Sequence, residues 1–283
     1  MSALGVDAPS AVTPVAGGWD TQIWRVADER GAYALRVFRA DQLTTSQREA
    51  AVMRTLYAAG LPVPRVHAAG ASQGRPALLL AWCAGRPLFA ELKAHPWRVW
   101  SLGLAFGRMH ARIHALPVPA PLAEVLPAWD ARREDLEPEL LARLARPAGF
   151  ATSVLHLDYH PLNVMVDRGR VTGVLDWANV AIGDRRADLA RTVTLFRLAP
   201  LPPGTPPVAQ LVIRPLLEAG WRNGYRHRQI ANPFVDMAPF YAWAGAMMER
   251  DLRPKLGRPG VWLQESDLAR IRRWTLAWKQ QNT

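Results

Sequence analysis

The stretch that decides the fold runs from Val154 to Leu189 and reads VLHLDYHPLNVMVDRGRVTGVLDWANVAIGDRRADL. Two runs within it alternate like β-strands, Asn163 to Val166 and Val171 to Leu175. The turn between them contains Gly169, which can supply the positive φ that a tight turn requires. We therefore predict a β-hairpin at the centre of this stretch.

Three polar side chains surround the predicted hairpin: Asp158, Asn163 and Asp176. A hairpin brings its two open ends together, so Asn163 and Asp176 are expected to lie near each other, with Asp158 in the loop just before them. Carboxylate and amide oxygens gathered in this way suit Mg²⁺, which also takes water and substrate phosphates. Phosphoryl transfer uses such a set, an Asp that orients a hydroxyl with an Asn and a second Asp that hold metal. The alternative is a plain β-hairpin with incidental acids.

The same motifs resemble those of the aminoglycoside phosphotransferase and choline kinase family. The family pattern is roughly H-G-D-x-H-P-x-N, followed by I-D-W and then by G-D-x-x-x-D-L-A. It is similar to His156–Asn163, Leu175–Trp177 and Gly183–Ala190 in this chain. Leu157 stands where the family commonly has Gly, a departure that bears on the backbone of the loop and leaves its chemical groups in place.

The resemblance implies a two-lobed protein-kinase-like fold of the α+β class. Residues 1–82 would form a small N-terminal lobe, an antiparallel sheet with one helix, that clamps the nucleotide. Residues 83–283 would form a larger, mainly helical C-terminal lobe for catalysis and substrate binding. The implied cofactors are ATP or GTP, as the phosphoryl donor, and Mg²⁺.

The resemblance also implies roles for the motif residues. Asp158 would be the catalytic residue that orients the acceptor hydroxyl and takes its proton late, while Asn163 and Asp176 would hold Mg²⁺. Three more residues are expected to support the loop: His156, His160 and Asp188. The two histidines could instead be acid–base groups, and the acid at position 188 could simply favour the N-terminus of its own helix.

In the N-terminal lobe, Arg36 stands where kinase-like folds carry the strand lysine that contacts the α- and β-phosphates. Arg can serve there because it is always charged and forks onto phosphate oxygens. The alternative is a surface arginine. Glu49 lies on the apolar face of the next predicted helix and is expected to align Arg36 through an ion pair. The pattern Ser46-Gln-Arg-Glu49 also fits a capping box, so Glu49 could cap its own helix instead.

Backbone groups are expected to complete the nucleotide site. Gly17 and Gly18 form a turn whose N–H groups could approach phosphate oxygens, although most paired glycines are simple turns. After two further predicted strands, Ala81 and Cys83 fall at the hinge of a kinase-like fold. There the resemblance implies backbone hydrogen bonds to adenine.

The remainder of the chain has mostly helical periodicity. Trp97 to Ala115 carries an apolar stripe, and its His110 and His114 form a possible metal pair. We favour a structural role for the pair, because the Glu of the H-E-x-x-H pattern is absent. We predict a loop over Leu116 to Pro127 and a charged helix over Trp129 to Ala145. Most of the later aromatic residues are expected to be core.

Composition limits the partners. The 283 residues are 49% apolar and include one cysteine, so an intramolecular disulfide and a cysteine-based zinc site are excluded. No leader peptide and no apolar run of about 18 residues is evident, so we expect a cytoplasmic protein with no membrane partner. The formal charge is +11, but it comes from scattered Arg residues, so no nucleic-acid partner is expected.

The expected activity is that of a small-molecule kinase whose partners are a nucleotide and a small hydroxylated substrate. From Leu189 onward, basic residues outnumber the acids by more than two to one, which disfavours a polycationic aminoglycoside. A neutral or anionic sugar, an amino alcohol or a macrolide-like ring is at least as compatible. The alternative function is a catalytically silent nucleotide-binding module of the same fold. A protein kinase is disfavoured because Asp176-Trp177-Ala178 departs from the Asp-Phe-Gly motif.

Overall fold

The computed structural model describes residues 4, 10–15, 22–130, 136–145, 149, 151–201, 203–227, 232–258 and 261–281. The chain divides into two compact units. We call them the sheet unit (Met1–Pro87, Pro119–Val125 and Val164–Ala178) and the helical unit (Leu88–Val118, Leu126–Asn163 and Asn179–Thr283). The lobe boundary predicted between residues 82 and 83 stays a prediction.

Strands predominate in the first part of the chain and helices in the last. The strands are β1 (Ala11–Val15), β2 (Gln22–Asp28), β3 (Gly31–Val37), β4 (Val66–Ser72), β5 (Arg75–Ala81), β6 (Arg86–Pro87), β7 (Ser153–Leu155), β8 (Val164–Asp167), β9 (Arg170–Val174) and β10 (Ala181–Gly183). The helices are α1 (Leu43–Ala58), α2 (Leu88–Ala94), α3 (Val99–Ala115), α4 (Ala120–Val125), α5 (Pro138–Leu144), α6 (Arg185–Leu198), α7 (Arg214–Arg226), α8 (Ala238–Leu252) and α9 (Glu265–Gln280).

The sheet unit is built on an antiparallel sheet with the strand order β1-β2-β3-β5-β4. Alternation along β3 sets its core face, because successive side chains of a strand point to opposite sides. Leu35 and Val37 are buried on that face, and Tyr33 packs against the same cluster. These three side chains therefore lie on one face of β3.

Helix α1 packs an apolar stripe at helical spacing, in which Val52, Met53 and Leu56 are buried. Glu49 shares that buried face. The helix begins at Leu43, three residues before Ser46, and the Ser46 hydroxyl donates to the Leu43 carbonyl inside the first turn. Ser46 is therefore not the N-cap.

A second, smaller sheet in this unit has the order β6-β8-β9 and contains the predicted hairpin. Val164 pairs with Val174 at its open end, and Arg168 and Gly169 form its turn with φ values of 48° and 84°. The predicted hairpin and the left-handed conformation of Gly169 are both confirmed.

The helical unit is centred on a close contact between α3 and α7. Glycines make the approach possible: a Cβ on Gly107 would lie 2.0 Å from the Trp221 carbonyl oxygen, and one on Gly224 would lie 2.2 Å from that of Leu104. Two of the aromatic residues predicted to be core, Trp221 and Tyr225, are fully buried on α7. Strands β7 and β10 pair antiparallel in the same unit.

Two segments differ from the sequence-based expectation. The loop predicted over Leu116 to Pro127 contains the short helix α4. The helix predicted over Trp129 to Ala145 is wrong in its described part outside α5, because Trp129 lies in a turn, where its N–H donates to the Ile182 carbonyl. Helix α5 starts at Pro138, whose fixed φ suits a first helical turn but whose missing N–H prevents a helix from running through it.

The chain before α7 is helical in an unusual way. Residues Ala209–Ile213 form a π-helical turn directly before α7. Pro215 follows at the start of α7 and has no N–H to return to the preceding turn, which accounts for the irregular bonding. Within the described parts of the chain, none of the helices combines the length and apolar character needed to span a bilayer.

Candidate active site

In the sheet unit, Arg36 joins two acidic side chains. Its Nη1 donates to Glu49 Oε1 at 2.6 Å, and its Nη2 donates to Asp176 Oδ1 at 3.0 Å. The Arg36 side chain is 11% exposed and that of Glu49 is 1% exposed, whereas 41% of the Asp176 side chain is exposed. Of the two alternatives for Glu49, the ion pair with Arg36 is thus the one observed.

Burial dominates the electrostatics of this pair. It raises the pKa of Glu49 to about 7, opposed by the charge of Arg36 and assisted by that of Asp176. For Arg36, burial alone would lower the pKa, but the two carboxylates outweigh it and the pKa is raised. The guanidinium therefore stays charged, while Glu49 titrates close to neutral pH.

Two atoms of this cluster have unused hydrogen-bonding capacity. Arg36 Nε and Glu49 Oε2 are buried and have no hydrogen-bond partner among the residues that the structure describes. Asp176 has a φ of 60°, a left-handed conformation that Asp tolerates better than most residues. Its exposed carboxylate can accept a further ligand.

In the helical unit, Asp158 and Asn163 are hydrogen-bonded to each other. The Asn163 amide nitrogen donates to the Asp158 carbonyl at 3.0 Å and to its Oδ2 at 3.1 Å. His160 Nε2 lies 3.6 Å from the same Oδ2, and the Asp158 N–H donates to His156 Nδ1 at 3.3 Å. The structure thus brings together the sequence-predicted residues of this loop.

The carboxylate of Asp158 is ionised at neutral pH. Burial by itself would raise its pKa, but the nearby His160, Arg191 and His156 outweigh that effect and hold the pKa well below its ordinary value. The side chain is still 22% exposed. It can therefore meet a ligand while charged.

Asp188 holds the backbone of the same loop. Its Oδ2 accepts the His156 N–H at 2.7 Å and its Oδ1 accepts the Leu157 N–H at 2.9 Å. The helix-capping role belongs to Asp184, whose side chain accepts the Arg186 N–H. Asp188 is fully buried, so of the two interpretations left open by the sequence, loop support is the one observed.

Two supporting residues were missed from the sequence. Arg191 Nε donates to the Leu157 carbonyl and Thr192 Oγ1 donates to the Tyr159 carbonyl, both at 3.2 Å. Together with Asp188 they follow the three- and four-residue spacing that places side chains on one face of α6. That spacing of polar residues in an otherwise buried helix was the available signal.

At the hinge predicted from the sequence, one backbone N–H group already has a hydrogen-bond partner. The Ala81 N–H donates to the Arg65 carbonyl, so the group that Ala81 could offer a purine is its carbonyl oxygen. Burial raises the pKa of the Cys83 thiol to about 11, so this side chain is protonated and inert. Gly17 and Gly18 lie outside the described residues.

Comparisons with known proteins identify the family and the fold of this chain. A family model described as "Phosphotransferase enzyme family" matches residues 11–227. An aminoglycoside 3'-phosphotransferase of Streptomyces fradiae is 31% identical over 169 residues, which cover 50% of this chain and 61% of that protein. The chain thus matches less than two thirds of this relative's length.

Solved structures support the fold. A thermostable mutant of aminoglycoside phosphotransferase APH(4)-Ia, in a ternary complex with AMP-PNP and hygromycin B, superposes with a TM-score of 0.67 at 15% identity, covering 96% of this chain and 94% of that one. Macrolide 2'-phosphotransferase MphH from Brachybacterium faecium gives a TM-score of 0.57 at 18% identity, covering 99% and 96%. The predicted α+β kinase-like fold is confirmed, and since the family model spans well over half of the sequence, the chain belongs to the phosphotransferase enzyme family.

Proposed function

We propose that this chain is a small-molecule kinase that transfers the γ-phosphoryl group of ATP or GTP to a hydroxyl of a small substrate. The observation that carries the proposal is the Asp158 carboxylate, which is ionised, partly exposed and fixed on a loop held by α6. Membership of the phosphotransferase family supports the reaction class. A structural neighbour in complex with AMP-PNP supports a nucleotide as the donor.

In the proposed reaction, Asp158 accepts a hydrogen bond from the acceptor hydroxyl and aims its oxygen at the γ-phosphorus. A new P–O bond forms to the acceptor, the bond to the β–γ bridging oxygen breaks, and the nucleoside diphosphate leaves. The hydroxyl proton passes late to Asp158, because phosphoryl transfer has a loose transition state that needs little base strength. The lowered pKa of Asp158 fits a residue that orients more than it deprotonates.

The nucleotide clamp is proposed to be Arg36, aligned by Glu49. The guanidinium is charged and is held in a fixed direction by Glu49, which suits it to a contact with phosphate oxygens. The purine is proposed to bind the Ala81 carbonyl and the Cys83 N–H, and the N–H groups of Gly17 and Gly18 would cover the phosphates.

The negative charge of the nucleotide phosphates is proposed to be neutralised further by Mg²⁺ held by Asn163 and Asp176. The donor chemistry fits, because both residues offer oxygens, the ligands that Mg²⁺ prefers, and much of the Asp176 side chain is exposed. When bound, the ion would neutralise charge on the transferred phosphoryl group. His156, His160 and Asp188 are proposed to support the loop and not to take part in the chemistry.

The proposal for the acceptor class rests on relatives and charge together. The curated relative acts, by its name, on an aminoglycoside, and one structural neighbour is a macrolide phosphotransferase. The acid-poor region after Leu189 offers few carboxylates to a polycation. We propose a hydroxylated small molecule of low positive charge, such as a macrolide, sugar or amino alcohol, ahead of a multiply charged aminoglycoside.

The deciding experiment screens such acceptors with both ATP and GTP in the presence of Mg²⁺. We expect turnover with at least one acceptor, reduced by a factor of about 10³ or more in Asp158→Asn while nucleotide affinity is kept. Asp167→Asn, in the exposed hairpin turn, is the matched control and should be fully active. An Asp158→Asn variant that turns over normally would refute the assignment. Nucleotide binding without turnover on any acceptor would favour the silent module.

A further inference from the structure

His110, His114 and Asp188 form a buried cluster next to the loop that contains Asp158. The ligating atoms of the three side chains are within 4.8 Å of one another, and all three residues are buried. His110 Nε2 and His114 Nε2 lie 3.1 Å and 3.0 Å from the same Oδ2 of Asp188. The cluster could in principle be a metal site or a hydrogen-bond network, and the outer partners of the two imidazoles distinguish the two.

The outer partner of His110 is Trp221. The Trp221 indole Nε1 donates to His110 Nδ1 at 3.3 Å. An indole N–H is a donor only, so His110 Nδ1 must be the acceptor and the ring proton must reside on Nε2. Burial, with a further contribution from His114, lowers the pKa of His110 to about 4, so the ring is neutral.

The outer partner of His114 is Tyr225. Its hydroxyl lies 2.7 Å from His114 Nδ1, and the same hydroxyl is hydrogen-bonded to Arg185. A guanidinium donates and never accepts, so the Tyr225 oxygen accepts from Arg185. The Asp188 carboxylate can only accept, so His114 Nε2 is its donor, which leaves Nδ1 to accept the Tyr225 hydrogen. His114 therefore also carries its proton on Nε2.

Both imidazoles thus present an N–H to Asp188, where a metal ion would require a lone pair. Metal-bound histidines donate their outer N–H to an acceptor, whereas the outer partners of these two rings are themselves donors. The cluster is a directed hydrogen-bond network that ends on the Asp188 carboxylate. The His114 bond is well formed, whereas His110 Nε2 is at bonding distance without good alignment.

What the network stabilises is an unfavourable backbone. Leu157 has a φ of 60°, in the left-handed region that is unfavourable for a residue with a Cβ. Its N–H donates to Asp188 and its carbonyl accepts from Arg191. Asp158 is the next residue, so the direction of its side chain depends on this conformation.

We propose that His114, assisted by His110, is a positioning residue that acts through Asp188 to hold Leu157 in its left-handed conformation and thereby to orient Asp158. The structural part of this inference stands on the contacts alone. Its meaning for turnover rests on the proposed function.

The first test needs no substrate. In the full chain, ¹⁵N NMR of the imidazoles should show the Nε2–H tautomer for both His110 and His114, and the chain as purified should carry no stoichiometric zinc. A proton on Nδ1 of either ring, or a metal bound in the cluster, would overturn the network.

The second test is hydrogen exchange over residues 155–160. His114→Phe should raise the exchange of the Leu157 amide at least tenfold, and His110→Phe should raise it less. Thr194→Val, a buried change on α6 whose hydroxyl bonds only the Ala190 carbonyl among the described contacts, should leave it unchanged. If His114→Phe does not fold, His114→Gln is used, which should keep partial protection. Equal exchange in all variants refutes the proposal.

A compensating change separates positioning from general packing. Leu157→Gly removes the penalty of the left-handed conformation, so in the His114→Phe background it should restore most of the loop protection and of any turnover lost. In His114→Phe alone, kcat should fall while the KM for the nucleotide is unchanged. Absence of turnover in the unmodified chain would count against the proposed function alone, since NMR and exchange would still decide this inference. Failure of Leu157→Gly to rescue either readout would contradict it.

Discussion

Arg36 and Glu49 form a buried ion pair in which Nη1 and Oε1 are 2.6 Å apart. The two residues come from β3 and α1, and the pair fixes the guanidinium in a direction from which its other branch reaches Asp176. A single arginine therefore joins the strand, the helix and the end of the hairpin. The proposed contact with the nucleotide phosphates rests on this fork.

Removing the charge at this fork should weaken nucleotide binding. Charge-assisted hydrogen bonds contribute about 1.5–3 kcal/mol, so Arg36→Met should lower the affinity for ATP or GTP about 10- to 100-fold, measured by calorimetry. Arg36→Lys should lose less, because it keeps the charge and loses the fork. Arg39→Met removes an exposed arginine of the same unit and should have no effect. Unchanged affinity in Arg36→Met would show that the phosphates bind elsewhere.

Asp176 is expected to determine the magnesium requirement. Asp176→Asn replaces a carboxylate ligand by a neutral amide, so the Mg²⁺ concentration needed for half-maximal nucleotide binding should rise about tenfold or more. Binding measured without Mg²⁺ should change less. Asp167→Asn in the same hairpin serves as the control. A normal Mg²⁺ dependence in Asp176→Asn would exclude Asp176 as a ligand.

His110 should make stability depend on pH in acid. Its ordinary pKa is 6.5, and burial lowers the pKa to about 4 in the folded chain. Between these values the unfolded chain binds a proton that the folded chain does not. Above pH 6.5 the titration of His110 therefore takes nothing from the free energy of unfolding. As the pH is lowered towards 4, the free energy of unfolding falls by up to about 1.4 kcal/mol per pH unit.

The check is urea unfolding across this pH range for the unmodified chain and for His110→Gln. The variant has no group that titrates at this position, so its stability should fall less steeply as the pH is lowered. His227→Gln changes an exposed histidine and should keep the slope of the unmodified chain. Parallel curves for all three proteins would mean that His110 does not titrate as its burial requires.

The contact between α3 and α7 should not tolerate a methyl group. Alanine normally favours a helix over glycine by about 1 kcal/mol. In Gly107→Ala, however, the new Cβ would lie 2.0 Å from the Trp221 carbonyl oxygen, and backbone cannot move aside cheaply. We expect a loss of about 3 kcal/mol or more in the free energy of unfolding. Gly220→Ala, whose Cβ would be 3.1 Å from its nearest neighbour, should lose less. Equal stability of the two variants would contradict the packing described.

Much of the fold could be predicted because its signals are local. The hairpin follows from alternation and from a turn that needs Gly169, and the loop from Asp158 to Asn163 is short enough for spacing alone to indicate a site. The helix expected from Trp129 failed because the pairing of Trp129 with Ile182, fifty-three positions away, outweighs local helix propensity.

What the sequence by itself determined is the set of chemical groups and their order: the two carboxylates and the amide around a hairpin, preceded by an arginine on a strand. The tertiary structure decided their partners. Glu49 could cap its own helix or pair with Arg36, and Asp188 could favour its helix N-terminus or support the loop. His110 and His114 could bind a metal ion or donate hydrogen bonds. Each choice depends on which donors and acceptors long-range packing buries together, and a buried polar group is stable only with a matching partner.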